Sequence, residues 1–217
     1  MQFKSPEGVL ECTPNALVVA GWTGRDRAAV DHHIEELAAI GVPAPSEVPL
    51  YYRCAPSLLT RDTTIAALGK ESSGEAEPFL IQTGGKLWLG LASDHTDRAL
   101  ETYSVAHSKQ ICAKPVAEDV WAFEEVADHL DQLELKSWIF EKGEWVVYQE
   151  GTLASILPLT QLMSGVEMAD GTAMLCGTLP AKGGVRPAAD FKMALHDPIR
   201  GRTIEWSYSA TVLPVIA

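Results

Sequence analysis

The chain has 217 residues, 47% of them hydrophobic and 21% charged, with a formal net charge of −12. That is enough for one large domain, or for a main domain with a small lobe, and the balance is that of a globular protein rather than a disordered one. So acidic a surface excludes nucleic acid and anionic lipid as main partners, while a small acidic molecule stays compatible because the field inside a cleft can differ in sign from the global one.

The opening stretch, "MQFKSPEGVLECTPNALVVAG", has no long apolar run and no small-residue cleavage site, so we expect no signal peptide. Nowhere does the chain approach ~18 uninterrupted apolar residues, and we expect no membrane span. "NALVVAG" (15–21) reads as a short strand ended by glycine. In "TGRDRAAVDHHIEELAAIG", Val30, Ile34 and Leu37 recur at helical spacing; Thr23 can cap the start and Gly41 the end. On that helix His32 and Glu35 lie away from the apolar stripe, three apart and therefore adjacent. A histidine steered by a carboxylate suits a general base, but the same pair suits an ordinary solvated helix face.

The Pro-rich "PAPSEVP" leads into a strand, "LYYRCA". A polar, turn-rich stretch, "LGKESSGEAEP", follows. If it is extended, Glu75 and Glu77 point to one face, about 7 Å apart along the strand. Two such carboxylates repel unless something positive lies between them, and a hard divalent cation does this well; the alternative is a solvated acidic turn. "FLIQTGGKLWLGLA" reads as a hairpin turning at Gly84-Gly85. Its second apolar run stops at "SDHTDR". Asp94, Thr96 and Arg98 share one face there, and His95 and Asp97 the other. The first three suit a metal ligand followed by a hydroxyl and a guanidinium able to grip a carboxylate; they also suit a surface turn with a local ion pair.

Lys109 and Lys114 come next, and neither has a spacing that singles it out. "KPVAEDVWAFEEVADHLDQL" places Val120, Phe123, Ala127 and Leu130 on a helical stripe, so we expect a helix. "LKSWIFEKGEWVVYQEGT" is a second hairpin turning at "EKGE", and "LASILPLTQLM" is helical with Pro158 starting or kinking it. "GTAMLCGTLPAKGG" is a strand running into a loop whose glycines let backbone N–H groups approach a ligand. It lacks the spacing of a P-loop. A third hairpin, turning at "DPIRG", ends the chain. The four cysteines (Cys12, Cys54, Cys112, Cys176) are far apart, without metal-ligand spacing, and read as free thiols of a reducing cytoplasm.

Taken in order, these motifs resemble the fumarylacetoacetate hydrolase superfamily, and most closely a bacterial branch of it without assigned function. The match runs through Asp31-His32-x-x-Glu35, "VPLYYR", Glu75-x-Glu77, Asp94-x-Thr96-x-Arg98, Lys109, Gln149-x-Gly151-Thr152 and "CGTLPAKGG". Cys176 stands where the family has threonine, and Leu179 is an extra residue before Pro180.

The resemblance implies an α+β, mainly β fold: a mixed β-sandwich roll with a few peripheral helices. It implies a small N-terminal lobe (1–46) carrying a lid helix, a catalytic domain (47–217), and a homodimer. It also implies Mg²⁺ or Mn²⁺ held by Glu75, Glu77 and Asp94. By the same resemblance His32 and Glu35 activate water, with His33 and Glu36 the neighbouring register. Lys109 steadies a developing oxyanion, and Thr96, Arg98, Gln149, Gly177 and Thr178 contact a small carboxylate substrate. The implied reaction is hydrolysis of a C–C bond in a 2-oxo acid or 1,3-dicarbonyl. Decarboxylation, isomerisation, hydration or C–N hydrolysis on the same site are the alternatives, and a binding protein that has lost the chemistry is the non-enzyme one.

Overall fold

The computed structural model describes residues 1–39 and 44–216. The chain opens with strands β1 (Gln2–Ser5), β2 (Gly8–Glu11) and β3 (Ala16–Gly21), then helix α1 (Arg27–Ala39). Strands β4 (Leu50–Cys54), β5 (Leu59–Thr60), β6 (Thr64–Leu68) and β7 (Ser72–Ser73) lead to the hairpin β8 (Ala76–Thr83) and β9 (Lys86–Ser93). After β10 (Thr96–Asp97) come two short helices, α2 (Arg98–Glu101) and α3 (Val105–Gln110), and strands β11 (Lys114–Pro115) and β12 (Trp121–Ala122). The rest is β13 (Glu134–Glu141), β14 (Glu144–Thr152), α4 (Leu159–Met163), β15 (Thr172–Leu175), β16 (Asp190–Asp197) and β17 (Arg202–Leu213).

Two sheets dominate. One has the order β12-β9-β8-β15-β3-β4, the other β14-β13-β16-β17-β6. Both are mixed: β15 runs parallel to β3 and β17 parallel to β6, while their other neighbours are antiparallel. Alternation along each strand sorts the side chains. On β8, Leu80 faces the cluster between the sheets, where it joins Leu89, Ile139, Tyr148, Leu195 and Ile204. Phe79 and Ile81 face the opposite cluster with Phe3, Val19, Trp88 and Leu175. The first sheet is thus buried on both faces, which is why "PFLI" and "WLGLA" read as continuous apolar runs. Each such side chain contributes about 1.5–3 kcal/mol by leaving water. The second sheet buries one face: Phe191, Met193 and Leu195 of β16 point inward, and Lys192 points out.

The turns follow from their residues. Gly84 and Gly85 both adopt positive φ, as do Lys142 and Gly143 in the second hairpin, the conformation a two-residue turn requires. In the third, Asp197 Oδ1 accepts from the N–H groups of Ile199 and Arg200, each at 3.1 Å. Pro158 immediately precedes α4, so it starts that helix rather than kinking it.

Two local expectations are corrected. Residues 119–132 form no α-helix. Val120, Trp121 and Ala122 are buried in succession, and β12 pairs antiparallel with β9, leaving only single 3₁₀ turns at Phe123–Glu125 and Leu130–Gln132. Covering the sheet edge overrides the helical spacing. The cap of α1 is Asp26, which accepts from the N–H groups of Ala28 and Ala29; Thr23 is buried elsewhere, and Gly41 lies outside the described residues. Within the expected N-terminal lobe, β3 is an interior strand of the six-stranded sheet, and Phe3 stacks on Phe79. Among the described residues, no helix is long and apolar enough to cross a membrane.

Candidate metal centre

The β8–β9 hairpin sets the site. Its register pairs Ala76 with Ser93. One residue further, Asp94 lies opposite Glu75 and donates its N–H to the Glu75 carbonyl at 2.9 Å. Glu75 and Glu77, two apart, share a face as the sequence predicts. One carboxylate oxygen from each of Glu75, Glu77 and Asp94 lies within 4.8 Å of the others. These are not solvated side chains: Asp94 is 0% exposed and Glu77 2%.

Three cations hold the trio. Lys109 of α3 is buried and donates to Asp94 Oδ2. Lys114 is fully buried, with Nζ 2.9 Å from Asp94 Oδ1 and donating at 2.6 Å to the His95 carbonyl. Arg98 lies 3.4 Å from Glu75 Oε1 and 3.0 Å from Glu101 Oε2, and its Nε donates to Ser73 Oγ. Burial opposes the charge of Asp94, but Lys109 and Lys114 outweigh it and hold that carboxyl well below the usual range. Burial likewise opposes the Lys109 ammonium, which Asp94 and Glu75 nonetheless hold above its ordinary value. Glu77 goes the other way: burial, reinforced by Asp94, pushes it well above the usual carboxylate range.

A hard divalent cation fits this donor set. The three converging ligands are all oxygens, the preference of Mg²⁺ and Mn²⁺. Despite its ion pair with Lys114, Asp94 Oδ1 is buried with no aligned hydrogen bond. A cation among the three carboxylates would offset the burial and the repulsion that disfavour the Glu77 carboxylate.

The loop after β15 completes the frame. Gly177 N–H donates to Glu77 Oε2 at 2.7 Å. Gln149 of β14 is fully engaged: its Oε1 accepts from Ala76 N–H and Ser137 Oγ, and its Nε2 donates to Thr178 Oγ1 and the Leu179 carbonyl. Thr178 donates to the Ala76 carbonyl at 2.7 Å. Gln149, Gly177 and Thr178 therefore meet at the start of β8 and shape the site from within. Thr96 is fully buried and donates to the Asp94 carbonyl, so its hydroxyl faces the protein. Arg98 holds Glu75 and Glu101 rather than facing outward. His32 and Glu35 are exposed on α1 and are not brought into the buried cluster. The side chains of His33 and Glu36 lie outside the described residues.

Sequence reasoning passed over Lys114, whose only signal is a lysine inside the otherwise apolar "AKPVA". It also missed the support behind Asp94. His95 is fully buried, its ring nitrogens 2.9 Å from Tyr208 Oη and Ser72 Oγ, and Tyr208 in turn meets Ser93 Oγ at 2.8 Å. Burial, with Lys114 next, pushes His95 down to about 3, so it is neutral at ordinary pH. Asp97 caps α2, accepting from the Leu100 N–H at 2.8 Å. Cys112 and Cys176 are buried with raised pKa values, burial being the first cause of each, and are not activated thiols.

This mixed two-sheet roll with an acidic trio at one end of its larger sheet is the fumarylacetoacetate hydrolase fold. Three solved structures share it at low identity. One is a candidate fumarylpyruvate hydrolase from Burkholderia cenocepacia, with a TM-score of 0.65 and 16% identity over 98% of this chain and 95% of that one. Another is a 2-keto-3-deoxyarabinonate dehydratase, with a TM-score of 0.62 and 13% identity over 93% and 74%. A candidate isomerase from Escherichia coli gives a TM-score of 0.63 and 17% identity over 96% and 99%. No curated protein matches the chain. The chain belongs to the family described as protein of unknown function (DUF2848), whose model matches residues 20–208.

Proposed function

We propose that this chain is a divalent-metal-dependent enzyme that hydrolyses a C–C bond in a small 2-oxo acid or 1,3-dicarbonyl substrate, acylpyruvate-like in shape. The observation that carries the reading is the buried convergence of Glu75, Glu77 and Asp94. Neighbours of the same fold named for hydrolase, dehydratase and isomerase activities support enzyme chemistry on 2-oxo acids. Bound by these carboxylates, Mg²⁺ or Mn²⁺ supplies Lewis-acid stabilisation of negative charge on substrate oxygens.

The chain's own residues do the rest. Lys109 and Lys114 keep Asp94 ionised and oriented, and Lys109 places positive charge where an oxyanion develops. Gly177 orients Glu77, and Arg98 orients Glu75. Gln149 and Thr178 fix the loop beside the substrate. In this reading His32, steered by Glu35, takes the proton from the attacking water, which requires α1 to fold over the trio when substrate binds. The exposed position of that pair favours one second reading: where water is not positioned, the same charge stabilisation yields decarboxylation or isomerisation. We also propose a homodimer, with a cytoplasmic setting suited to four free buried thiols.

The test is turnover of acylpyruvates, oxaloacetate and related 2-oxo acids with added Mg²⁺ or Mn²⁺. Turnover of at least one substrate, abolished by chelation, is expected. Absence of both turnover and metal affinity would instead indicate a small-molecule-binding protein.

A further inference from the structure

Both carboxylate oxygens of Asp94 already face an ammonium. Lys109 donates to Oδ2, and Lys114 Nζ stands 2.9 Å from Oδ1. A metal ion held by Asp94 must therefore share an oxygen with a lysine. Lys114 has no room to step aside. Its side chain is fully buried, it donates to the His95 carbonyl at 2.6 Å, and its backbone is fixed by the parallel pairing of β11 with β5, Lys114 opposite Leu59 and Pro115 opposite Thr60.

The charges of the cluster do not cancel around a divalent cation. Glu75, Glu77, Asp94 and Glu101 supply the carboxylates; Arg98, Lys109 and Lys114 supply the cations. With every carboxylate ionised and a divalent ion among them, one positive charge is left over. Asp94, Glu77 and both lysines are buried, so water screens that charge poorly and leaving it unmatched is costly. Glu75 and Glu101 are the partly open members, and a counter-charge can arrive only from their side. We infer that Lys114 makes the site take its divalent cation together with an anion: the ion binds weakly alone and more tightly once one negative charge stands beside it. By linkage the anion is held in turn only where the ion is. The inference rests on the metal reading above and adds to it an interdependence of the two ligands. Lys114 acts through Asp94 and touches neither ligand, so it is a positioning residue.

The sign of one effect separates this from a structural role. A lysine that only props Asp94 in place would weaken metal binding when lost; a lysine that leaves the loaded site too positive would strengthen it. The experiment is a calorimetric titration of Mn²⁺ into the full chain, with and without saturating pyruvate as the anion. Wild type should bind Mn²⁺ at least about 10-fold more tightly with pyruvate, within the usual span of coupled sites. Lys114→Met should bind Mn²⁺ alone about 10-fold more tightly than wild type and gain less from pyruvate. Lys109→Met, which removes the other ammonium on Asp94, is the second variant and should shift the same way. Lys136→Met, on the half-exposed pair with Glu150, controls for overall charge and should match wild type. Equal wild-type affinities with and without pyruvate overturn the coupling, and weaker Mn²⁺ binding in the folded lysine variants overturns its assignment to Lys114, while Mn²⁺ binding itself leaves the metal reading standing. If wild type binds no Mn²⁺ in either condition, the metal reading fails and the coupling falls with it.

Discussion

Gly177 donates its N–H to Glu77 Oε2 across 2.7 Å, and it does so at φ +91° with Thr23 against its α-carbon. The position therefore requires glycine twice, for its backbone angle and for its lack of a side chain. Gly177→Ala should destabilise the fold by roughly 2–4 kcal/mol through strain and overpacking, and should weaken Mn²⁺ affinity by displacing Glu77. Urea unfolding and a metal titration check both. Wild-type values in the two measurements would contradict the link.

Lys114 is the cation that only the structure assigns to the site. It is fully buried against Asp94 Oδ1, and removing one member of a buried pair strands the other. Lys114→Met should cost about 3–5 kcal/mol in urea unfolding. Lys136→Met, which breaks an ion pair with Glu150 on half-exposed side chains, should cost under about 1 kcal/mol. Equal effects from the two substitutions would show that the Lys114 pair is not structural.

How much of this was legible in the sequence differs by element. That Glu75, Glu77 and Asp94 form one ligand set came from the family resemblance, since the residues alone left a solvated acidic turn open; the return of the strand ending at Asp94 to the side of Glu75 was legible, because it needs only strand periodicity and a Gly-Gly turn. The three hairpins were legible for the same reason: turn chemistry is local. The helix expected across Val120 and Phe123 was not formed, because burial against β9 is decided by a partner more than 25 positions away in the chain. Lys114 and the Ser72–His95–Tyr208 chain were invisible because their meaning lies in long-range contacts, and a lone lysine or histidine has no spacing to read. The His32–Glu35 pair was readable as a motif; that both residues are exposed on α1 is a fact of the tertiary structure.

Stability should also depend on pH through a group outside the metal centre. His129 is buried between Asp128 Oδ1 at 2.6 Å and Asp197 Oδ1 at 3.1 Å. Burial works against its protonation, but hydrogen bonds to the two carboxylates outweigh it and raise its pKa. A raised folded-state pKa gives stability that is fully present below the unfolded value of about 6.5 and is lost as pH rises through the folded one. His129→Gln should therefore lose more stability near about pH 5.5 than near about pH 8.5. Equal losses at the two pH values in urea unfolding would remove this role.

The four cysteines are free and buried. A thiol reagent such as Ellman's should titrate almost none of them in the native chain and all four after denaturation. Rapid native labelling of Cys176 would contradict its burial beside Glu77.

The central claim is that Glu75, Glu77 and Asp94 hold one divalent cation, and direct Mn²⁺ titration of the wild type and of Asp94→Ala tests it most directly. Glu77→Gln serves as the second variant, because it leaves the Asp94–lysine pairs in place. One ion per chain in the wild type, with none in either variant at the same concentration, is the predicted result. Full occupancy in both folded variants would contradict it.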